Sequence, residues 1–267
     1  MSRLFDALSD KVRLRYEQVR TLLAYRKGNW REIPVVESHE PLVLVDPADA
    51  HPYYADEMAL TDDRRTFLRR TVCENFLSAR DGLRAEGYDL KIYDGWRPIV
   101  LQEKLFWHYL REFTAAKFGL KERFTGLSLE RVAAAFDALP EATQTTLREA
   151  NRTYVSWPSK DPRQPSPHAT GGSVDVWLYE DGRPANLGVP FDWMEVNAGA
   201  FCHLKPGRQP FVRNDVHICL RRQRIQLPMT RAGFTAYGPE IWHYNYGNQM
   251  DALVKGDHRA PYSYIEP

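Results

Sequence analysis

The chain has 267 residues, with 36 Lys+Arg against 35 Asp+Glu, and this near-neutral balance lacks the basic footprint of a dedicated nucleic-acid binder. Hydrophobic residues make up 43%, enough for a proper core, and no run approaches the roughly 18 apolar residues that would span a bilayer. The three cysteines, Cys73, Cys202 and Cys219, are odd in number and show no C-x-x-C spacing, which argues against a disulfide framework. With a charged N-terminus that lacks the apolar stretch of a secretory signal, they point to a reducing, cytoplasmic setting.

Residues 1–30 read as a helical arm, because Leu4, Leu8, Val12, Tyr16 and Val19 recur near the helical period. Pro34, Pro41, Pro47 and Pro52 then punctuate an extended region with a strand-like run at 42–45. A long helix is predicted from an N-cap at Asp62 to Gly87, with Phe67, Leu68, Val72, Phe76 and Leu83 as its buried stripe. Residues 89–93 alternate as a strand and end in the turn dipeptide Asp94-Gly95. Arg97 precedes Pro98, which bars it from helical angles, and a helical stripe follows; Arg97 is thus mounted on a stiff strand–turn–helix junction.

Two short helices broken at Pro140 are expected over 119–152, then a proline-rich loop at 156–167, a strand at 174–179, and a helix over 214–232 that Pro228 should kink or split. A last strand covers 241–246. The clusters Arg64, Arg65, Arg69, Arg70 and Arg221, Arg222, Arg224 read as solvated helix faces. Helices and strands do not alternate regularly, so the expected fold class is α+β: a central, mainly antiparallel sheet flanked by helices in a single domain over 1–267, with an N-terminal arm (1–40) and a helical insertion (110–160).

Two segments carry chemistry. In Ser166-Pro167-His168-Ala169-Thr170-Gly171-Gly172-Ser173-Val174-Asp175, His168 closes a loop, the glycines permit a tight bend, and Asp175 lies in the following strand. The bend can bring imidazole and carboxylate to one cation, and His243 from Pro239-Glu240-Ile241-Trp242-His243 would supply a third ligand. Two histidines and a carboxylate leave a fourth position open, the pattern of a catalytic zinc site. Glu240, just ahead of His243, could take a proton from the attacking water and hand it to a leaving amine. Arg97 could stabilise the oxyanion on the attacked carbonyl. Neither an isolated E-x-x-H nor an H-x6-D is specific; their combination is. A competing set, Cys202, His203, His217 and Cys219, matches no ordinary zinc module.

These residues, together with Tyr93-Asp94-Gly95-Trp96-Arg97-Pro98, Gly188-Val189-Pro190-Phe191-Asp192 and Arg231-Ala232-Gly233-Phe234, make the chain resemble the D-alanyl-D-alanine dipeptidase family of zinc peptidases from about residue 65 to 247. The resemblance implies one zinc ion on His168, Asp175 and His243, Glu240 as base, Arg97 as transition-state stabiliser, and Asp192 and Ser166 around the substrate, with Asp192 near its free amine. The small-peptide substrate it implies is D-alanyl-D-alanine or a similar dipeptide, with cell-wall peptide fragments cut by a carboxypeptidase or endopeptidase as the enzyme alternative. A non-peptide substrate and a non-catalytic zinc-binding module complete the alternatives. Ser173 stands where the family usually has Ala, and the N-terminal arm and the 110–160 stretch are additions to its compact members.

Overall fold

The strand Ser173–Glu180 is buried from Ser173 through Leu178, on both of its faces, as expected of a central strand. The computed structural model, which describes residues 2–152, 154–201 and 215–267, makes it the centre of the fold. In chain order the helices are α1 (Ser2–Lys27), α2 (Tyr53–Asp56), α3 (Arg70–Arg84), α4 (Ile99–Tyr109), α5 (Ala115–Lys117), α6 (Lys121–Phe124), α7 (Leu129–Asp137), α8 (Glu141–Asn151), α9 (Val216–Arg231) and α10 (Gln249–Lys255). The strands are β1 (Leu42–Leu44), β2 (Phe67–Arg69), β3 (Tyr88–Asp94), β4 (Ser173–Glu180), β5 (Arg183–Pro184), β6 (Thr235–Ala236) and β7 (His243–Asn245).

The main sheet has the order β3-β4-β7-β6, with β5 added to β4, and its pairings are antiparallel. A two-stranded sheet, β1-β2, lies apart from it. The fold is therefore α+β, as expected. α3 packs on β3 and α9, while α4 and the π-helical turn Leu110–Thr114 gather the insertion helices α5 to α8 around them. One apolar cluster runs from Leu68 and Phe76 through Leu90, Val176 and Trp242 into Phe124 and Phe136 of the insertion. The helices of residues 115–151 therefore share the core of the main sheet.

Several local expectations are corrected. The helix expected from Asp62 begins at Arg70, because Phe67–Arg69 pairs with β1 as a strand. On α1, Val12, Tyr16 and Val19 are 62%, 61% and 54% exposed, while Leu14, Glu17, Gln18 and Thr21 are buried. The helical period was right and the face was wrong; the side chains of Leu4 and Leu8 lie outside the described residues. α9 runs through Pro228 to Arg231 without being split. Pro228 sits in the last turn, and its missing N–H deprives the helix of a single bond, to the carbonyl four residues back, with only three residues left beyond it.

Arg69 and Arg222 are both 0% exposed rather than on solvated faces. Arg69 donates to the carbonyls of Thr170 and Ser263 and pairs with Glu37 through both terminal nitrogens. Arg222 donates to the carbonyls of Leu187, Gly199 and Asn197. Each guanidinium gathers carbonyls from distant segments, which offsets the cost of burying its charge.

Candidate active site

Cross-strand register brings the chemistry together. Asp175 of β4 lies directly opposite His243 of β7, and a register shift between Ile92 and Asp94 sets Asp94 of β3 opposite Asp175 on the other side. Irregularities of this kind re-aim side chains beside active sites. His168 arrives from the turn His168–Thr170, which ends in Gly171 with φ 69°. A Cβ there would stand 2.5 Å from Leu42 Cδ2, so both the left-handed backbone and the close approach require glycine.

His168, Asp175 and His243 are buried and offer ligand atoms that all lie within 4.8 Å of one another. His168 Nε2 stands 3.2 Å from His243 Nδ1, and His243 Nδ1 is 3.1 Å from Asp175 Oδ1. The hydrogen bonds on the far sides of both rings settle which nitrogens face inward. His168 Nδ1 donates to Gly95 O at 2.9 Å, and His243 Nε2 donates to Asn245 Oδ1 at 3.1 Å. In the neutral tautomers that these bonds select, the inward nitrogens, His168 Nε2 and His243 Nδ1, carry the lone pairs and converge with a carboxylate. Second partners that fix the tautomer of a ligating histidine are the rule at metal sites. Burial pushes His168 down to about 3, which keeps it neutral and fit to donate a lone pair. Asp175 Oδ1 is buried without a hydrogen-bond partner. An orphaned carboxylate oxygen facing two imidazole lone pairs fits a divalent cation of the zinc type.

Sequence reading had missed Asn245. Its Oδ1 also accepts from Ser173 Oγ at 2.8 Å and Asn248 Nδ2 at 2.8 Å. The signal was present, since residues two apart on a strand share a face. Ser173, noted as a departure from the family's alanine, therefore helps to hold the residue behind His243.

The cluster lines a cavity of about 140 Å³ together with Arg97, Asp192 and Glu240. Glu240 Oε2 lies 3.8 Å from His243 Nδ1, and burial, reinforced by the charges of Asp175 and Asp192, raises its carboxyl to about 8. A nearby cation would offset that burial and favour the carboxylate. Arg97 is buried, with Nε 2.7 Å from Asp94 Oδ2, Nη1 donating to Gln102 Oε1 at 2.9 Å, and Nη2 3.8 Å from Asp175 Oδ2. Asp94 is a second residue that the sequence reading had only used as a turn. It fixes the fork of Arg97 and lies 3.3 Å from His168 Nδ1.

Asp192 has φ 62° and accepts from Tyr109 Oη; burial raises its carboxyl to about 6. Ser166 is placed differently. Its hydroxyl donates to Trp157 O at 2.9 Å and accepts from Ser159 N–H at 3.1 Å, and it does not line the cavity. For the competing Cys/His set, Cys202 and His203 lie outside the described residues, while His217 and Cys219 fall on α9.

Two histidines and a carboxylate that could hold one metal ion, with the buried Glu240 beside them in a small polar cavity, are the makings of a hydrolytic metalloenzyme site. The family model described as D-ala-D-ala dipeptidase matches residues 109–262. That stretch takes in His168, Asp175, Asp192, Glu240 and His243 and leaves Arg97 outside. A D-alanyl-D-alanine dipeptidase of Synechocystis sp. is 25% identical over 231 residues, covering 82% of this chain and 86% of that protein. The solved structure of a mutant vancomycin-resistance D,D-pentapeptidase VanY with Zn(II) covers 85% of this chain and 93% of its own at 15% identity, with a TM-score of 0.39. The chain belongs to the D-ala-D-ala dipeptidase family and is a metallopeptidase.

Proposed function

We propose that the protein is a zinc-dependent dipeptidase that hydrolyses D-alanyl-D-alanine or a closely similar free dipeptide. The observation that carries this reading is the convergence of His168, Asp175 and His243 with Glu240 in one cavity of about 140 Å³. That is well below the roughly 300–1,000 Å³ of pockets built for larger ligands. Family membership and the Synechocystis relative support the same substrate class.

Zinc held by the three residues would act as a Lewis acid and lower the pKa of water. Glu240 takes the proton from the attacking water and passes it to the leaving amine; it stands beside His243 without belonging to the ligand cluster. Arg97, held in a fixed fork by Asp94 and Gln102, presents a permanent cation to the oxygen on which negative charge develops. Asp192, in the same cavity, receives the substrate ammonium, which would hold its carboxylate ionised. Ser166 fixes the loop that leads into His168, and the geometry favours that part over substrate contact. Among the described residues no helix is long and apolar enough to cross a membrane, and turnover of free dipeptides in the cytoplasm is the setting this reading suits.

A second reading, a carboxypeptidase acting on longer cell-wall peptides, is favoured by a groove of about 720 Å³ that adjoins the cavity at Trp30, Tyr154, Tyr237 and Glu240. Release of free D-alanine by the zinc-loaded protein separates the two. The dipeptidase reading predicts that D-alanyl-D-alanine is cleaved with at least ten-fold higher kcat/KM than its N-acetylated form, because acetylation removes the charge that Asp192 pairs. A preference for the acylated peptide would transfer the assignment to the carboxypeptidase.

A further inference from the structure

The N-terminal arm and the helical stretch 110–160 both reach the catalytic cavity, and each brings an arginine. Arg31 comes from the single turn Trp30–Glu32 that follows α1, and Arg152 is the C-cap of α8; both line the cavity with His168, Asp175, His243 and Glu240. The Arg31 guanidinium stacks over the Trp30 ring at 4.2 Å and makes no ion pair among the described residues. Arg152 uses Nη1 on Glu149 Oε1 at 2.8 Å, while its Nε is buried without a hydrogen-bond partner. Burial and the neighbouring Arg152 charge lower the pKa of Arg31, with Tyr237 and Glu149 opposing in part. One carboxylate, Glu149, therefore serves two guanidiniums that repel each other at the wall of a small cavity.

Two neighbouring guanidiniums with one carboxylate between them make a local excess of positive charge on this wall of the cavity, which suits an anion. We infer that Arg31 and Arg152 form an anion-recognition site within the active cleft, and that the group they bind is the terminal carboxylate of the substrate's leaving residue. This inference rests on the dipeptidase reading. A free dipeptide is a zwitterion, and the charges that act on Asp192 are Asp175 and Arg97, whereas those on Arg31 are Arg152, Tyr237 and Glu149. The cavity thus offers an anion for the ammonium near the cation cluster and cations for the carboxylate on the side built by the turn after α1 and the end of α8. Bidentate guanidinium forks suit a planar carboxylate, and two of them reject a substrate that lacks it, since their donors would be left unpaired.

The test measures binding without turnover. In zinc-loaded protein carrying Glu240→Gln, calorimetry compares D-alanyl-D-alanine with D-alanyl-D-alaninamide, which differ only in the terminal charge. The acid should bind at least ten-fold more tightly than the amide, and Arg31→Gln or Arg152→Gln should each cut that preference to about two-fold or less while leaving amide affinity unchanged. Equal binding of acid and amide with both arginines present, or a preference that survives both substitutions, overturns the assignment. Inorganic phosphate that binds in an arginine-dependent way more tightly than the dipeptide would show the anion to be a phosphate and overturn the carboxylate. A ten-fold acid preference in a protein that fails to release D-alanine when Glu240 is intact leaves the anion site standing and sinks the reaction.

Discussion

Glu240→Gln should lower kcat for D-alanyl-D-alanine by about 10²–10⁴-fold, the range that a positioned general acid–base contributes, while the protein keeps its zinc. The two parts of this expectation come from separate features of the site. Glu240 lies outside the cluster formed by His168, Asp175 and His243, so its removal leaves the donor set whole. It nonetheless stands 3.8 Å from His243 and lines the same cavity as the cluster. The amide keeps the shape and loses the ability to take a proton. Measuring kcat, KM and bound zinc on the same preparation separates the cases. A fall of less than ten-fold at full zinc occupancy would assign the proton transfer elsewhere, to Asp192 or Tyr237 on the cavity wall.

The largest stability effect is expected at Arg69, far from any reacting atom. Arg69→Ala should destabilise the fold by about 3–5 kcal/mol, the cost of breaking a buried pair and leaving its partner uncompensated. For a chain of this size that corresponds to a fall of roughly 10 °C in melting temperature. The guanidinium is fully buried and joins Glu37 of the arm, Thr170 of the turn that carries His168, and Ser263 near the C-terminus. Arg69→Lys should recover little of the loss, since one ammonium cannot reproduce a planar fork spanning three segments. Thermal unfolding followed by circular dichroism measures this directly. A change of under about 1 kcal/mol in Arg69→Ala would mean that the arm and the turn are held by packing alone.

The site was more legible in the sequence than its frame. His168, Asp175 and His243 were found because strand alternation and a glycine-bearing bend constrain them locally, and the antiparallel register then places Asp175 against His243. Arg97 was expected on a stiff junction because Pro98 restricts its backbone, and it lines the same cavity. What escaped depends on partners distant along the chain. Hydrophobic periodicity located α1, but a helix with apolar residues on more than one face does not declare which it buries, and Val12, Tyr16 and Val19 turned outward. Arginine runs read as solvated faces because their usual place is the surface; Arg69 and Arg222 instead meet carbonyls that only the folded chain assembles. Arg31 and Arg152 carry no motif, since the segments around them hold no chemical signature.

The most direct measurement is a zinc titration of the chelator-stripped protein, following bound metal and D-alanine release together, with His243→Ala beside it. The account predicts one zinc per chain, activity that rises in step with occupancy and levels off at one equivalent, and neither stoichiometric binding nor activity in His243→Ala. Unchanged zinc stoichiometry in His243→Ala, or full activity in the stripped protein, would contradict it.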